Sequence, residues 1–496
     1  MPAASAAAPL WRLSAREAVR RLRSGALRPS ELLAAYASRL EAHDGAVNAA
    51  PILCLERARA AAAALEREGW PADAEQRPGY LYGLPILIKD TMAVEGVRFT
   101  AGSPLVDCIA GHSDVGVEVL EANGGIVFGK TNTPEFAAGS NTFNAIFGAT
   151  TNPWDTRVTC GGSSGGSAAA LAAGFCALAS GSDLGGSLRI PASFCSVVGL
   201  RPAPGRVPRG PVDQPFDWMA VNGPMGRDVR DCALMLDAMC GAREVDTSAD
   251  PLAYHGESRG HEESFLAAAE RAAWPARVAW SRDLGGISPV DDEVAAICER
   301  AARRFQSDGG GTLVDVCPDL SGAQDIFMAL RAEGMAAKHG EQYANLDKRR
   351  QLKDDLQWNI SVGLEQSPAH LRAMQKAQAA LARRAADFFG EFDVLATPCV
   401  MAPPFDVSEP WLKEVAGQPL DNYTEWLRMT YALTLTQCPA LSVPAGFTEA
   451  GLPVGLQLVG RPRGEAALLS AASALERALV LAHRVPLDPR VLGEPL

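Results

Sequence analysis

A glycine- and serine-rich segment between apolar stretches constrains this chain more than any other feature. Residues 160–201 read CGGSSGGSAAALAAGFCALASGSDLGGSLRIPASFCSVVGLR. Glycine allows backbone conformations closed to other residues, and serine hydroxyls can attack a carbonyl, relay a proton or cap a helix. A flexible linker has a similar composition, but a linker is not followed at once by apolar runs. The segment therefore predicts two ordered serine loops suited to acyl chemistry or anion binding.

The residues between the serine loops predict one helix and one strand. The alanine run 168–173 favours helix because alanine loses no side-chain entropy there, and Gly174 is a typical residue for ending it. The apolar residues 175–178 predict a short buried strand. The second serine loop, residues 182–187, comes next. One helix and one strand are thus predicted to join the two loops.

Two lysines come after apolar runs that predict buried strands. Residues 84–88 predict a strand that brings Lys89 to its end, and residues 125–128 predict a strand shortly before Lys130. Residues 124–131 formally match the phosphate-loop pattern G-x-x-x-x-G-K-[ST]. A phosphate loop needs an exposed turn at those positions, whereas here the apolar residues are the predicted strand itself. Nucleotide binding is therefore disfavoured.

Together these segments resemble the amidase signature family of serine hydrolases. The resemblance rests on the two serine loops and on further segments in order along most of the chain. Those segments are GLPILIKD (83–90), GKTNTPEF (129–136), NPWD (152–155), VGLRP (198–202), CPALSVPAG (438–446) and GLPVGLQLVG (451–460). The resemblance implies the α/β amidase signature fold, in which a large mixed, twisted β-sheet is covered on both faces by α-helices.

The resemblance also implies how the chain is divided. Residues 1–70 are predicted to form an N-terminal helical segment that packs on the core, and residues 71–496 the amidase signature catalytic domain. Within that domain the core motifs lie at 80–210. A variable substrate-pocket region is expected at about 242–420 and a C-terminal core segment at about 421–496.

The resemblance assigns the chemistry to three residues. Ser187 is the implied nucleophile, Ser163 the bridging serine and Lys89 the general base. Amide hydrolysis needs a nucleophile, a base, an acid for the leaving nitrogen and donors for the oxyanion. Lys89 must be neutral to accept a proton, so burial has to lower its pKa from about 10.4. The family also implies a cis peptide bond before Ser163.

Residues around the loops take supporting roles by the same resemblance. The implied oxyanion donors are the backbone N–H groups of Leu184, Gly185, Gly186 and Ser187. The implied substrate-lining residues are Ala137, Ala138 and Gly139. Ser164 is predicted to cap the following helix, in preference to joining the proton relay. Asp183 and Arg189 are predicted to pair and so to hold the second serine loop, residues 182–187, hereafter the nucleophile loop.

Composition limits the classes of molecule that the protein can bind and the cellular compartment in which it works. The formal net charge of -12 argues against a nucleic-acid surface. The histidines form no His/Cys cluster, so neither a metal nor another cofactor is predicted. The eleven cysteines are scattered without a C-x-x-C pair, as in proteins of a reducing compartment. With neither a secretory signal nor a membrane-length apolar run, the sequence predicts a cytoplasmic protein with no membrane partner.

These inferences predict an amidase that cleaves a small, uncharged, apolar or aryl amide through an acyl-enzyme on Ser187. The sequence also allows the cleaved bond to be an ester, an anilide or a carbamate. It allows the protein to be a homodimer. One alternative is the glutaminase component of a glutamyl-tRNA(Gln) amidotransferase complex, although residues 420–426 look more like stand-alone amidases. A second alternative is an α/β-hydrolase esterase that uses Ser163 within G-x-S-x-G. It leaves Lys89 without a role.

Overall fold

The computed structural model describes residues 8–211, 214, 216–240, 250–253 and 264–492. Its helices are α1 (Ala15–Arg23), α2 (Pro29–Val47), α3 (Leu55–Glu68), α4 (Val115–Ala122), α5 (Gly165–Ala173), α6 (Arg189–Cys195), α7 (Val229–Met239), α8 (Phe265–Arg271), α9 (Asp292–Ala302), α10 (Arg304–Ser307), α11 (Ala323–Ala344), α12 (Leu346–Arg349), α13 (Asp354–Glu365), α14 (Pro368–Phe388), α15 (Arg428–Thr434) and α16 (Glu465–Leu479).

The strands comprise one central sheet and four two-stranded ribbons within the described residues. They are β1 (Ile52–Leu53), β2 (Pro85–Lys89), β3 (Arg98–Phe99), β4 (Cys108–Ile109), β5 (Ile126–Thr131), β6 (Phe143–Asn144), β7 (Gly148–Ala149), β8 (Thr151–Asn152), β9 (Asp155–Thr159), β10 (Leu178–Asp183), β11 (Val198–Arg201), β12 (Val221–Gly226), β13 (Arg277–Trp280), β14 (Thr312–Asp315), β15 (Val394–Pro398), β16 (Glu414–Val415), β17 (Gln418–Pro419), β18 (Ala440–Phe447) and β19 (Pro453–Gly460).

The central sheet has eleven strands of mixed direction. Their order is β1-β5-β2-β10-β12-β11-β18-β19-β15-β13-β14. Strands β5, β2 and β10 run parallel to one another, as do β15, β13 and β14, while the strands between these groups pair antiparallel. The central strands are buried along nearly their whole length, as expected for a sheet covered by helices. The predicted fold class is confirmed.

The first residues of the chain are fastened to the rest by side-chain bonds. Ser14 Oγ accepts the Glu17 N–H at 3.2 Å, which caps α1. The Asp231 carboxylate on α7 then accepts the N–H groups of Ala15 at 2.8 Å and Arg16 at 3.1 Å. Strand β1 adds an edge to the central sheet by pairing with β5. The predicted division at residue 70 stays a prediction.

One strand lies further along the chain than predicted. The apolar residues 175–178 were expected to form it, but β10 begins at Leu178 and continues through small and polar residues to Asp183. The prediction was wrong because β10 pairs with β2 on one side and with β12 on the other. Strand preference depends on the neighbouring strands as much as on the residues themselves. The shift places serines on the strand that runs beside Lys89.

Candidate active site

Lys89 is the last residue of β2 and lies at the centre of the three parallel strands. The pairing of Leu87 with Ala179 sets β10 beside the end of β2. The carboxyl ends of parallel strands meet at one edge of a sheet, so the residues that follow β2 and β10 converge there. The Lys89 side chain has no solvent exposure. A cation in this position needs polar partners.

Three serine hydroxyls surround the Lys89 amine. Its Nζ lies 2.7 Å from Ser163 Oγ, 2.9 Å from Ser182 Oγ and 3.1 Å from Ser164 Oγ. In addition, the Lys89 backbone N–H donates to Ser180 Oγ at 3.0 Å. A charged ammonium has three N–H donors, so these three hydroxyls satisfy it fully. A neutral amine has two N–H donors and a lone pair, so one hydroxyl must then turn and donate to nitrogen.

Burial moves the Lys89 amine towards its neutral form. Desolvation lowers the pKa of Lys89 to about 7, against the opposing charge of Asp183. An ordinary lysine titrates near about 10.4. A large fraction of Lys89 is therefore neutral at neutral pH and has a lone pair for a hydroxyl proton. This is the condition that a lysine base requires.

The first serine loop enters α5 through a cis peptide bond between Gly162 and Ser163, as the resemblance implies. Ser164 takes the N-cap position of α5, but its side chain makes no capping bond. The predicted cap was therefore wrong. The Ser164 hydroxyl instead accepts from Lys89 and from the Ser182 N–H at 3.2 Å, and it donates to the Ser182 carbonyl at 3.2 Å. Its φ of -88° and ψ of 38° also depart from the extended backbone of a capping serine.

Ser187 lies where the two serine loops meet. The Ser164 N–H donates to the Ser187 carbonyl oxygen at 3.1 Å, so the loops are joined through their backbones. The residue retains 8% exposure, whereas Ser163 and Ser164 have none. Within the described ranges, the Ser187 hydroxyl has no hydrogen-bond partner. Ser187 is thus more exposed than Ser163 and Ser164. Ser182 is more exposed still, but its hydroxyl is bound to Lys89, whereas that of Ser187 is free in the described part of the chain.

The predicted oxyanion donors differ in availability. The Gly186 N–H donates to Asp183 Oδ1 at 2.9 Å. The N–H groups of Leu184, Gly185 and Ser187 have no acceptor among the residues that the structure describes. Three of the four predicted donors are therefore available to a ligand. The fourth holds the shape of the loop.

A buried ionic network holds the nucleophile loop. Arg189 donates to both oxygens of Asp183, with Nε–Oδ2 at 3.0 Å and Nη2–Oδ1 at 2.9 Å. Arg201 Nη1 lies 3.4 Å from Asp183 Oδ1. Burial raises the pKa of Asp183, but the charges of Arg189 and Arg201 outweigh this and hold it well below its usual range. The predicted pairing of Asp183 with Arg189 is confirmed.

The loop at residues 137–139 packs into a small core that is separate from the main one. Ala138 is fully buried and lies in one cluster with Met335 of α11, Leu356 and Ile360 of α13, and Leu352 just before α13. Lys353 Nζ donates to the Ala138 carbonyl. Phe136 and Ala137 both have positive φ, 49° and 54°, which is strained for residues with a side chain. The substrate-lining role of Ala137, Ala138 and Gly139 stays a prediction.

A cavity of about 370 Å³ opens beside the nucleophile loop. Its lining includes Leu184, Trp218, Met219, Leu330, Arg331 and Met335. Residues 137–139 are not among those lining residues. The wall is mainly apolar and comes from four distant parts of the chain: the nucleophile loop, the segment before β12, α11 and α14.

Sequence reasoning missed several residues that build this site. Ser182 was placed in the second loop without a role, although it binds Lys89. Ser180 and Ser182 alternate along β10, and residues two apart on a strand share a face, so a correctly placed strand would have indicated them. Thr430 donates to the Gly185 carbonyl at 2.6 Å. Its position on α15 has no signal in the local sequence.

Two alternative sites are excluded by position. Lys130 lies inside β5, and its Nζ pairs with the Asp90 carboxylate and lies 4.5 Å from the centre of the Phe99 ring. It is not in a phosphate loop. The strand before Ser163 is β9, which pairs with β8 outside the central sheet. The nucleophile elbow of an α/β-hydrolase needs a strand of the main sheet, so that alternative was wrong.

The described residues offer neither a cluster of metal ligands nor a helix that could cross a membrane. These residues contain no group of three His, Cys, Asp or Glu side chains that could hold a metal ion. None of their helices combines the length and the apolar character that crossing a bilayer requires. All eleven cysteines lie in the described part of the chain, and none of them forms a disulfide bond.

Comparison with known proteins identifies the family. The family model for amidases matches residues 31–469. An acylamidase of Rhodococcus erythropolis is 34% identical over 97% of this chain and 98% of its own length. The A subunit of the glutamyl-tRNA(Gln) amidotransferase of Anaeromyxobacter dehalogenans is 36% identical over 95% of this chain and 97% of its own. The crystal structure of a bacterial aryl acylamidase of the amidase signature family superimposes with a TM-score of 0.86 and 27% identity, covering 99% of this chain and all of the other. The match over most of the chain, together with the buried lysine and paired serine loops, shows that this protein belongs to the amidase family.

Proposed function

We propose that this protein hydrolyses carboxylic amides through an acyl-enzyme on Ser187, with Ser163 as the bridging hydroxyl and Lys89 as the base. The observation that carries the proposal is the position of the Lys89 amine. It is buried, has a pKa of about 7, and lies 2.7 Å from Ser163 Oγ. A serine hydroxyl becomes an effective nucleophile only when an adjacent base takes its proton. The amidase family membership supports the same chemistry.

In the acylation half-reaction, Ser187 Oγ bonds to the amide carbonyl carbon. Its proton passes to Ser163 Oγ as the Ser163 proton passes to Lys89 Nζ. The carbonyl oxygen becomes an oxyanion, which the available N–H groups of Leu184, Gly185 and Ser187 stabilise. The C–N bond then breaks, and the proton on Lys89 returns through Ser163 to the leaving nitrogen. Water attacks the acyl-enzyme by the same route, which releases the acid and restores Ser187.

The cavity beside Leu184 supports a small substrate with apolar surface. Its wall carries Trp218, Met219, Leu330 and Met335, and its volume of about 370 Å³ suits a molecule with one ring or a short chain. The acylamidase and the aryl acylamidase among the similar proteins support acyl amides and anilides as the first substrates to try. Esters and carbamates react through the same acyl-enzyme chemistry and belong in the same screen.

The location proposed for this activity is the cytoplasm. None of the eleven cysteines forms a disulfide bond, and eight of them are buried. Proteins that work in a reducing compartment keep their cysteines as thiols.

Glutaminase activity within an amidotransferase is a second candidate. It is favoured by the 36% identity to the A subunit of a glutamyl-tRNA(Gln) amidotransferase. Ammonia release from glutamine by the isolated protein, and its stimulation by the other amidotransferase components, would support this candidate. Turnover of acyl anilides with no release of ammonia from glutamine under either condition would support the stand-alone amidase.

Covalent labelling tests the main proposal directly. The pure protein is treated with a fluorophosphonate, digested, and mapped by peptide mass spectrometry. We expect one adduct, on Ser187, and its loss in Ser187→Ala. Ser163→Ala should retain the nucleophile but label far more slowly, since it breaks the path to Lys89. An adduct on Ser163 or Ser164 in the wild type would overturn the assignment of the nucleophile.

A further inference from the structure

The cavity beside the nucleophile loop contains a buried cation with no acidic partner among the described residues. Arg331 lies on α11, lines the cavity together with Leu184, and is only 5% exposed. Its Nε and Nη2 donate to the Tyr423 hydroxyl at 3.2 and 2.8 Å. The part of the chain that the structure describes places no carboxylate within 4.0 Å of its guanidinium, and Nη1 has no acceptor there. Buried cations without an anion are costly and therefore uncommon.

The partner that Arg331 does have is neutral. The Tyr423 hydroxyl donates onward to Asn359 Oδ1 at 3.0 Å, and burial raises the pKa of Tyr423. Tyr423 therefore accepts from Arg331 as a phenol and brings no negative charge. Its two bonds fix one edge of the guanidinium. Arg331 Nη1 has no acceptor among the described residues, so it can still bind a molecule that enters the cavity.

The second cation on this wall is already neutralised. Arg331, Met335 and Lys338 are spaced i, i+4 and i+7 and so share one face of α11. Lys338 Nζ pairs with Asp217 at 2.9 Å across the cavity. Glu333 also borders the cavity, but it is two residues from Arg331 and projects from a different side of the helix. One uncompensated positive charge thus remains on the face of α11 that borders an otherwise mainly apolar cavity.

We infer that Arg331 binds a carboxylate carried by the substrate away from the amide that is cleaved, so that the preferred substrates are amides with an apolar body and one acidic group. This inference rests on the proposed function and replaces the uncharged substrate predicted from the sequence with one that carries a negative charge. The carboxylate supplies the anion that the described protein residues do not. Hydrogen bonds between charged partners are the strong ones, so the group has a large effect on affinity.

Two matched pairs of substrates test the inference. The first compares glutaric acid mono(4-nitroanilide) with pentanoic acid 4-nitroanilide, which places the carboxylate on the acyl side. The second compares 4-acetamidobenzoate with N-acetyl-4-toluidine, which places it on the amine side. In at least one pair we expect kcat/KM to be higher for the acid by about tenfold or more, mainly through KM.

The variants separate binding from folding. Arg331→Met should remove the preference, lowering kcat/KM for the acid by about tenfold or more while the neutral member changes by less than about threefold. Arg331→Lys keeps the charge and should keep part of the preference. Arg350→Met removes a surface cation 3.7 Å from Asp347 and should leave the preference intact.

Two results would overturn the inference: no preference for the acid in either pair, or an equal loss on both members in Arg331→Met. Failure of the proposed function looks different. It would appear as no turnover of the neutral anilides together with no fluorophosphonate adduct on Ser187.

Discussion

The Ser164 N–H donates to the Ser187 carbonyl oxygen at 3.1 Å and thereby joins the two serine loops. The first loop lies against the end of β2 through Lys89, and the second follows β10 directly. Because β2 and β10 are parallel neighbours, the lysine and both loops meet at one edge of the sheet. The position of Lys89, the proposed base, relative to the loop that carries Ser187 is therefore set by the sheet. Mutation can test the protonation state of Lys89 and the hydrogen bonds that Lys89 makes.

Labelling of Ser187 should depend on pH through Lys89. This lysine accepts a proton only when neutral, and its pKa is about 7. The second-order rate of fluorophosphonate labelling should therefore rise with pH, about tenfold per unit below pH 7, and level off above it. Lys89→Met should lower the rate sharply and remove this rise. A wild-type rate that is independent of pH between 5.5 and 8.5 would contradict Lys89 as the base.

Ser182, the hydroxyl that sequence reasoning missed, should tune that pH profile. Ser182 Oγ accepts from Lys89 Nζ at 2.9 Å and so stabilises the charged amine. In Ser182→Ala the ammonium loses this acceptor, and the midpoint of the pH profile should move down by about 0.5 to 1 unit. Ser408→Ala, at an exposed hydroxyl far along the chain, is the control and should not move it. A midpoint that moves to higher pH in Ser182→Ala would show that the Ser182 hydroxyl does not stabilise the charged form of Lys89.

Gly186 should tolerate no side chain, because the nucleophile loop has a positive φ of 130° there. A Cβ built on Gly186 would lie 2.7 Å from Thr430 Cβ and 2.8 Å from Ile190 Cδ1. Gly186→Ala should lower both labelling of Ser187 and the free energy of unfolding. Gly96→Ala is a matched control because Gly96 also has positive φ, 75°, but has no atom within 4 Å of the added carbon. Gly186→Ala should cost about 1 to 3 kcal/mol more than this control in urea unfolding.

The proposed catalytic residues could be named from the sequence because they lie in short, ordered motifs. Lys89, Ser163 and Ser187 each stand in a run of glycine, serine or apolar residues that is rare outside such a site. Ser164 was misassigned because a serine before a helix is normally a cap, and the competing partner, Lys89, comes from 75 residues earlier. Local sequence has no information about that competition. The strand predicted at residues 175–178 was misplaced for the same reason. The bounds of β10 depend on its pairing with β2 and β12, which local sequence does not show.

The residues of the cavity wall could not be predicted from the sequence, for a related reason. Arg331 and Met335 lie on a long helix whose sequence resembles that of any amphipathic surface helix. Only the folded chain brings α11 beside Leu184 and Tyr423 beside Arg331. The predicted substrate loop at residues 137–139 and this helix do meet, since Ala138 packs on Met335. Both belong to one small core, and Met335 also lines the cavity.

Lys130, the lysine that matched a phosphate-loop pattern, should matter for stability. It pairs with Asp90, and both side chains are almost fully buried. Lys130→Met leaves the Asp90 carboxylate buried without a cation, which should lower the free energy of unfolding by about 3 to 5 kcal/mol. The double variant Lys130→Met/Asp90→Asn removes the stranded charge and should recover part of that loss. Urea unfolding of the wild type and both variants measures this. A double variant no more stable than Lys130→Met would contradict a buried ion pair.

The lowered pKa of Lys89 should also affect the stability of the protein. Lys89 titrates at about 7 in the folded protein, but at about 10.4 in the unfolded chain. Between these values the unfolded state binds one proton more than the folded state, so the free energy of unfolding rises with pH by up to about 1.4 kcal/mol per unit. Below pH 7 the cost of burying this lysine is fully present, and it fades as pH rises towards 10.4. Lys89→Met removes this dependence and leaves the other titrating groups in place. We therefore expect Lys89→Met to be more stable than the wild type at pH 7, with the difference shrinking at pH 8 and again at pH 9. A difference in unfolding free energy that stays constant over these three pH values would show that Lys89 is not held neutral by the fold.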